Sequence, residues 1–330
     1  MSTATLVLET YELDGDDALQ TLRRAGWGRL VKDSFLRFRY ADGFSHCRAL
    51  AYQITLALLP GIIAVVGLAT LLHAEHFRDV LRQTATRLAP GPAGDMIATA
   101  VRHGQRAAAG GGARAALVFG LLAALVSATT AMGQVERGAN RIYGVERDRP
   151  TLRKYTVGFL LACSAGLAMV LAMVLIVAGQ DIAKVTSLSG LLEDAWGVLR
   201  WPVAVALLVT AVALLFRASP RRHQPAASWL AVGSAVSVLL ALAFTWLLSL
   251  YLNASRTFGQ TYGPLAGLIG VLVWAFLMSL AVFLGLAFAA QLEAVRAGQP
   301  VPITGEQVNR EGLQPRRSSL RSSRMLGTWR

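Results

Sequence analysis

The sequence predicts an all-α fold, a polytopic integral membrane protein built as a six-transmembrane-helix bundle with amphipathic helices at its interface. Two observations predict it. Of 330 residues, 54% are apolar and only 15% charged, with mean hydropathy +0.48, whereas average soluble domains carry roughly 25% charged residues. The apolar residues are also gathered into long blocks. A hydrocarbon core about 30 Å thick takes about 20 helical residues, whose backbone groups must pair within the segment. An ordinary soluble enzyme is excluded by this composition. Cys47 and Cys163 lie far apart in unlike surroundings, so neither a disulfide framework nor a zinc ribbon is available.

Three regions follow. Residues 1–48 form an N-terminal region whose Leu19, Leu22, Trp27, Leu30, Val31, Phe35 and Phe38 make one helical face, ringed by Arg23, Arg24, Arg29, Lys32, Arg37 and Arg39. A basic amphipathic helix of this kind suits the headgroup layer, or packs under the bundle as a plinth; the two are compatible. Seven acidic residues in this stretch, and a first apolar block without a small-residue cleavage site, argue against a cleavable signal. Residues 49–290 are the transmembrane domain, with spans at about 49–72, 115–133, 156–179, 197–216, 228–252 and 263–290. The fourth is the least regular, because Arg200 and Pro202 crowd its start; without it the count is five. Residues 291–330 form an Arg/Ser-rich tail without helical period, expected to be disordered. Between the first two spans, Phe77, Val80, Leu81, Thr84 and Leu88, then Met96, Ile97, Ala100 and Val101, predict two short helices separated by Ala89-Pro90-Gly91-Pro92.

The net charge of +13 fits nucleic acid or an anionic membrane surface equally well until the charges are sorted by side. Segments on the side of the two termini hold 23 Lys and Arg, and the opposite segments hold 9. The positive-inside bias therefore places both termini in the cytoplasm. The basic balance is mostly topology, and nucleic acid is not an expected partner. The expected partners are membrane lipids with anionic headgroups; a homo-oligomer is compatible with the sequence.

Hydrolytic chemistry finds little support. His46, His73, His76, His103 and His223 all fall outside the spans, and only His73 and His76, around Glu75, have a spacing suited to a metal, without further ligands. No phosphate-cradling loop of the GxxxxGK[ST] type occurs. The expectation is therefore a non-enzyme with no catalytic residues, no metal and no cofactor. Polar residues at membrane depth are the better lead, because they are costly there and mark a pathway or a helix contact. Tyr52 and Gln53 lie early in the first span, followed by Pro60 and Gly61, which loosen its backbone pairing. At the end of the second span Glu136, Arg137, Asn140 and Arg141 place two arginines one turn apart. Together they would hold a phosphate or lipid headgroup, or else form a salt-bridged helix end.

Three motifs in order then carry a family resemblance. Ala49-Leu50-Ala51-Tyr52 with Leu56-Ala57-Leu58-Leu59-Pro60, Asn140-Arg141-Ile142-Tyr143-Gly144-Val145, and Tyr262-Gly263-Pro264-Leu265 with Leu272-Val273-Trp274 and Gly285 resemble the YihY/BrkB family of bacterial inner-membrane proteins, over roughly residues 25 to 295. Gln53 departs from the family's second aromatic, and Ala287 stands where many members carry a glutamate. If that glutamate pairs or titrates in members that have it, this chain does without it or uses Gln291 or Glu293. The resemblance brings an old ribonuclease label, which the residues do not support, and an implied role in moving lipid-linked envelope material. The reading is thus a transporter or flippase of an amphiphilic, anionic lipid-like substrate. Tyr52, Gln53, Glu136, Arg137, Asn140 and Arg141 would be substrate-binding, and Pro60, Gly263 and Pro264 hinges. The alternative is a non-catalytic scaffold or assembly factor whose polar residues only hold helices together.

Overall fold

The computed structural model describes residues 15–71, 113–185, 191–254, 265–298 and 301–303, with Leu6, Val7, Glu9, Thr99, Arg102 and Arg106 individually. The expected outer-loop helices, His73, His76, His103, Gly263, Pro264 and the tail beyond residue 303 lie outside the described residues. Eight helices are described: α1 (Gly15–Ala25), α2 (Trp27–Tyr40), α3 (Gly43–Leu71), α4 (Ala113–Ile142), α5 (Thr151–Val185), α6 (Leu191–Ala218), α7 (Ala227–Ala254) and α8 (Ala266–Arg296). No strand occurs among the described residues. Helices α3 to α8 are each long and apolar enough to cross a membrane, which matches the six expected spans.

Helix boundaries differ from the apolar blocks where polar residues find partners in protein. Helix α4 continues nine residues past Gly133 to Ile142, because its polar last turns pack inside the fold. Helix α6 runs through Pro202, and Arg200 is buried with its guanidinium 5.5 Å from the Trp201 ring, so the fourth span is continuous. Helix α3 likewise runs through Pro60. The proline has no N–H for the carbonyl of Leu56, which leaves a loosened turn within an unbroken helix.

The N-terminal amphipathic face is not one face. Gly26, at φ +80°, breaks it into α1 and α2. Leu30, Ser34, Arg37 and Phe38 recur at helical spacing and are buried, with α2 packed on α8. Trp27, Val31 and Phe35, at i, i+4 and i+8, form an adjacent exposed stripe. The plinth contact and an exposed apolar stripe lie on neighbouring strips of the same helix.

Each of the six long helices packs on the one before and after it in the chain, and α8 returns to α3, closing a ring. Opposite pairs (α3 with α6, α4 with α7, α5 with α8) share no extended interface among the described residues. Burial along α8 is uneven. At the end where the α4–α5 and α6–α7 connections meet residues 285–296, called the basal end below, every residue of α8 from Gly285 to Ala294 is buried. Ile142, Tyr143, Phe216, Trp229, Leu230 and Phe283 fill the core around it. Towards the other end, Val118, Phe119, Leu122, Leu242 and Trp246 are exposed.

Close approach of α7 and α8 sets this packing. A Cβ on Gly285 would run into the Ser237 hydroxyl and come within 2.7 Å of the Gly233 carbonyl, whereas one on Gly166 of α5 would meet nothing. Small residues that let backbones approach are the usual device where helices pack within lipid. Gly285→Val is expected to destabilise the purified protein by about 1–3 kcal/mol, and Gly166→Ala to stabilise it slightly, by up to about 1 kcal/mol. Thermal unfolding followed by size-exclusion chromatography checks both.

Candidate functional site

The polar residues of the basal end are built around the C-terminus of α4. Gly144, at φ +76°, donates its N–H to the Arg141 carbonyl at 3.2 Å, and Val145 donates to the Asn140 carbonyl at 2.7 Å. This paired pattern closes a helix through a left-handed glycine and accounts for the Asn-Arg-Ile-Tyr-Gly-Val motif. The turn aims residues 145–150 back across the bundle. There the Arg149 guanidinium pairs with Glu136 at 3.1 Å and donates to the carbonyls of Ala218 at 3.1 Å, Ser219 at 2.7 Å and Pro220 at 2.8 Å. The last carbonyls of a helix have no partner within it and carry partial negative charge. Arg149 satisfies them at the end of α6 while pinning that helix to α4.

Asn140 is fully buried and uses both ends of its amide. Its Nδ2 donates to Asp148 Oδ1 at 2.8 Å, and its Oδ1 accepts the Arg221 N–H at 2.7 Å. Asp148 also accepts from Lys154 at 2.9 Å and lies 3.7 Å from Arg137. Burial pushes the Asp148 carboxyl up, but the hydrogen bonds from Lys154 and Asn140 and the charges of Lys154 and Arg137 outweigh it and hold it below the ordinary value of 3.8.

A second, deeper layer surrounds the end of α8. Arg37 of α2 donates to Gln291 Oε1 at 2.9 Å and to the Ile142 carbonyl at 3.3 Å. Arg222 pairs with Glu293 at 2.7 Å, their side chains only 2% and 0% exposed. The same guanidinium stacks 4.6 Å over the Tyr143 ring. Burial pulls the Arg37 guanidinium down to about 10, against the raising pull of Tyr143 and Glu293, so it is cationic at neutral pH. Burial and then the Glu293 charge push the Tyr143 phenol up, which keeps it neutral. Val7 and Glu9 also meet this end, Val7 N–H donating to the Tyr143 carbonyl and His223 N–H to Glu9. Arg296 and Asp17 pair at 3.2 Å, tying α8 to α1.

The residues expected to bind a substrate divide accordingly. Glu136 and Asn140 are buried and committed to Arg149, Asp148 and Arg221. The Arg137 side chain is 55% exposed and Arg141 half-buried, with His46 of α3 within electrostatic reach of both. Tyr52 is exposed. Gln53 Oε1 accepts from Thr130 at 3.1 Å, a bond between α3 and α4 at membrane depth. Pro60 lies within α3. Ala287 is fully buried and unsuited to a charge, whereas Gln291 and Glu293 are held by Arg37 and Arg222. Sequence reasoning passed over Asp148, Arg149, Lys154 and Arg222, and set Arg37 among the cations around the amphipathic face, whereas it is buried. A basic residue in a short loop already satisfies the topological charge bias, and nothing local marks it as buried.

Removing one partner of a buried ion pair leaves the other charge unpaired. Glu293→Ala should therefore cost about 3–5 kcal/mol. Adding Arg222→Met should recover part of the loss in detergent-solubilised thermal melts. Asp148 titrates below its ordinary value, so its contribution is complete above pH 3.8 and is lost as pH falls through the lower, folded-state value. Asp148→Asn is expected to lower stability near neutral pH and to flatten the acid limb of the pH–stability profile.

The comparisons with known proteins agree with this architecture. The chain is 25% identical over 259 residues to the ribonuclease-like protein YfkH of Bacillus subtilis, covering 77% of this chain and 92% of that one. It is 27% identical over 307 residues to the UPF0761 membrane protein Smlt0865 of Stenotrophomonas maltophilia, covering 90% and 67% respectively. Against the UPF0761 membrane protein AZOSEA40600 of Aromatoleum aromaticum it is 27% identical over 251 residues, covering 74% and 58%. No solved structure matches it. The family model described as Virulence factor BrkB matches residues 34–308, and with its six membrane-length helices the chain is an integral membrane protein that belongs to the BrkB family.

Proposed function

We propose that this protein moves an amphiphilic, lipid-like envelope substrate across the bacterial inner membrane, without ATP of its own and with both termini in the cytoplasm. One observation carries the reading: six membrane-length helices close into a ring whose buried ion pairs are gathered at one end, with the exposed Arg137 beside them. Such asymmetry suits a structure that opens one face at a time. The exposed Arg137 and neighbouring Arg141 are the headgroup contacts of this reading. Tyr52 and Gln53 lie along the route, and Pro60, Gly263 and Pro264 are its hinges. The 23 basic residues on the side of the termini, against 9 opposite, support the orientation. No hydrolytic step is part of the proposal. Among the described residues no three His, Cys, Asp or Glu side chains gather as metal ligands, and the buried carboxylates Glu136 and Glu293 are paired with arginines.

A scaffold role is the second reading, favoured by the commitment of Glu136 and Asn140 to structural bonds. Reconstitution separates the two. Liposomes containing the protein should translocate a fluorescent anionic lipid faster than empty ones. Arg137→Ala combined with Arg141→Ala should slow this roughly fivefold or more without changing the amount of folded protein. No flux from folded wild-type protein would leave the scaffold, and unchanged flux in the double variant would remove the two arginines from the route.

A further inference from the structure

Between the start of α5 and the end of α6 the surface opens into a groove of about 440 Å³. Val157, Leu160, Leu161 and Ser164 line one wall, and Leu214, Arg217 and Ala218 the other. The one hydroxyl among them, on Ser164, donates to the Leu160 carbonyl of its own helix at 2.8 Å, so the walls behave as apolar. Both helices are membrane-length, and what meets this groove is lipid.

The charges at its mouth are one-sided. Arg217 lines the groove and no carboxylate does. Arg153 stands one turn before Val157 on the stripe 153, 157, 160, 164, and is exposed. Side chains on a helix lean towards its N-terminus. Both side chains are long enough to snorkel to the membrane boundary, Arg153 along the lean of its helix and Arg217, in the last turn of α6, against it. Of the carboxylates in and before the α4–α5 connection, Asp148 is engaged by Lys154 and Asn140 and Glu136 by Arg149. Two guanidinium groups at the boundary end of an apolar channel present a phosphate site with room for an acyl chain beneath it.

We propose that the α5–α6 groove binds one anionic phospholipid, with an acyl chain along Leu160, Leu161 and Leu214 and the phosphate held between Arg217 and Arg153. The site rests on the membrane placement of the chain and is independent of the transport reading, because a lipid held here stays bound whether or not a substrate crosses.

Native mass spectrometry of the full chain in detergent tests it, with phosphatidylglycerol and phosphatidylcholine of identical acyl chains as probes. The wild type should prefer phosphatidylglycerol. Arg153→Ala with Arg217→Ala should weaken that lipid roughly ten- to thirtyfold and leave phosphatidylcholine unchanged. Ser164→Trp, which fills the groove, should weaken both lipids. Arg147→Ala, exposed in the α4–α5 connection and outside the groove, should behave as wild type. Equal binding of the two lipids, or a preference that survives in the double variant, overturns the proposal. Displacement of the lipid by millimolar inorganic phosphate overturns it in favour of a free-anion site. Liposome flux of the same double variant reports on transport separately, so loss of the adduct with flux intact still supports the groove.

Discussion

Glu293 is a carboxylate near the end of a largely apolar helix, with no exposed surface. Left unpaired, it would cost several kcal/mol in desolvation. Arg222 has to reach it, and in doing so Arg222 fixes the path of residues 219–226 and covers the Tyr143 ring. Tyr143 in turn belongs to the turn that closes α4. Two residues earlier on α8, Gln291 accepts from Arg37, which brings α2 under the bundle. Two polar side chains at the end of α8 thereby locate the N-terminal helix, the α4–α5 connection and the α6–α7 connection with respect to one another.

This arrangement sorts the ring into two mechanical regimes. Near α8's end, residues are buried all round the helix, and glycine and serine allow α7 and α8 to touch at backbone distance. Further from it, large side chains of α4 and α7 face outward. Protein interiors are close-packed and bistable rather than continuously deformable. Motion at the basal end would therefore have to break its ion pairs as a group.

Much of this was legible in the sequence. Block length and low charge gave six spans, because a membrane helix must satisfy its backbone internally and so announces itself over about 20 residues. The close-packed motifs at Asn140–Val145 and Gly285 were visible as motifs, though their physical meaning, a helix closure and a helix contact, emerged from geometry. What could not be read was partnership across the chain. Arg37 and Gln291 are 254 positions apart, and Arg149 meets carbonyls about 70 positions away. Neither leaves any local periodicity. The amphipathic N-terminus shows the opposite failure: periodicity ran straight through Gly26, and a single positive φ rotated the second half onto a different face.

Arg149 also separates two jobs that a count of positive charges merges. During insertion, a cation in the α4–α5 connection counts as one charge among those that orient the chain. Once folded, the same residue is a planar fork holding three carbonyls and a carboxylate. An ammonium at position 149 would keep the charge balance of the two sides and lose that fork, since its donors radiate from a single atom. Orientation and folding therefore read different properties of one side chain, and a lysine there would be inserted the right way round into a bundle whose α6 lacks its closing contact.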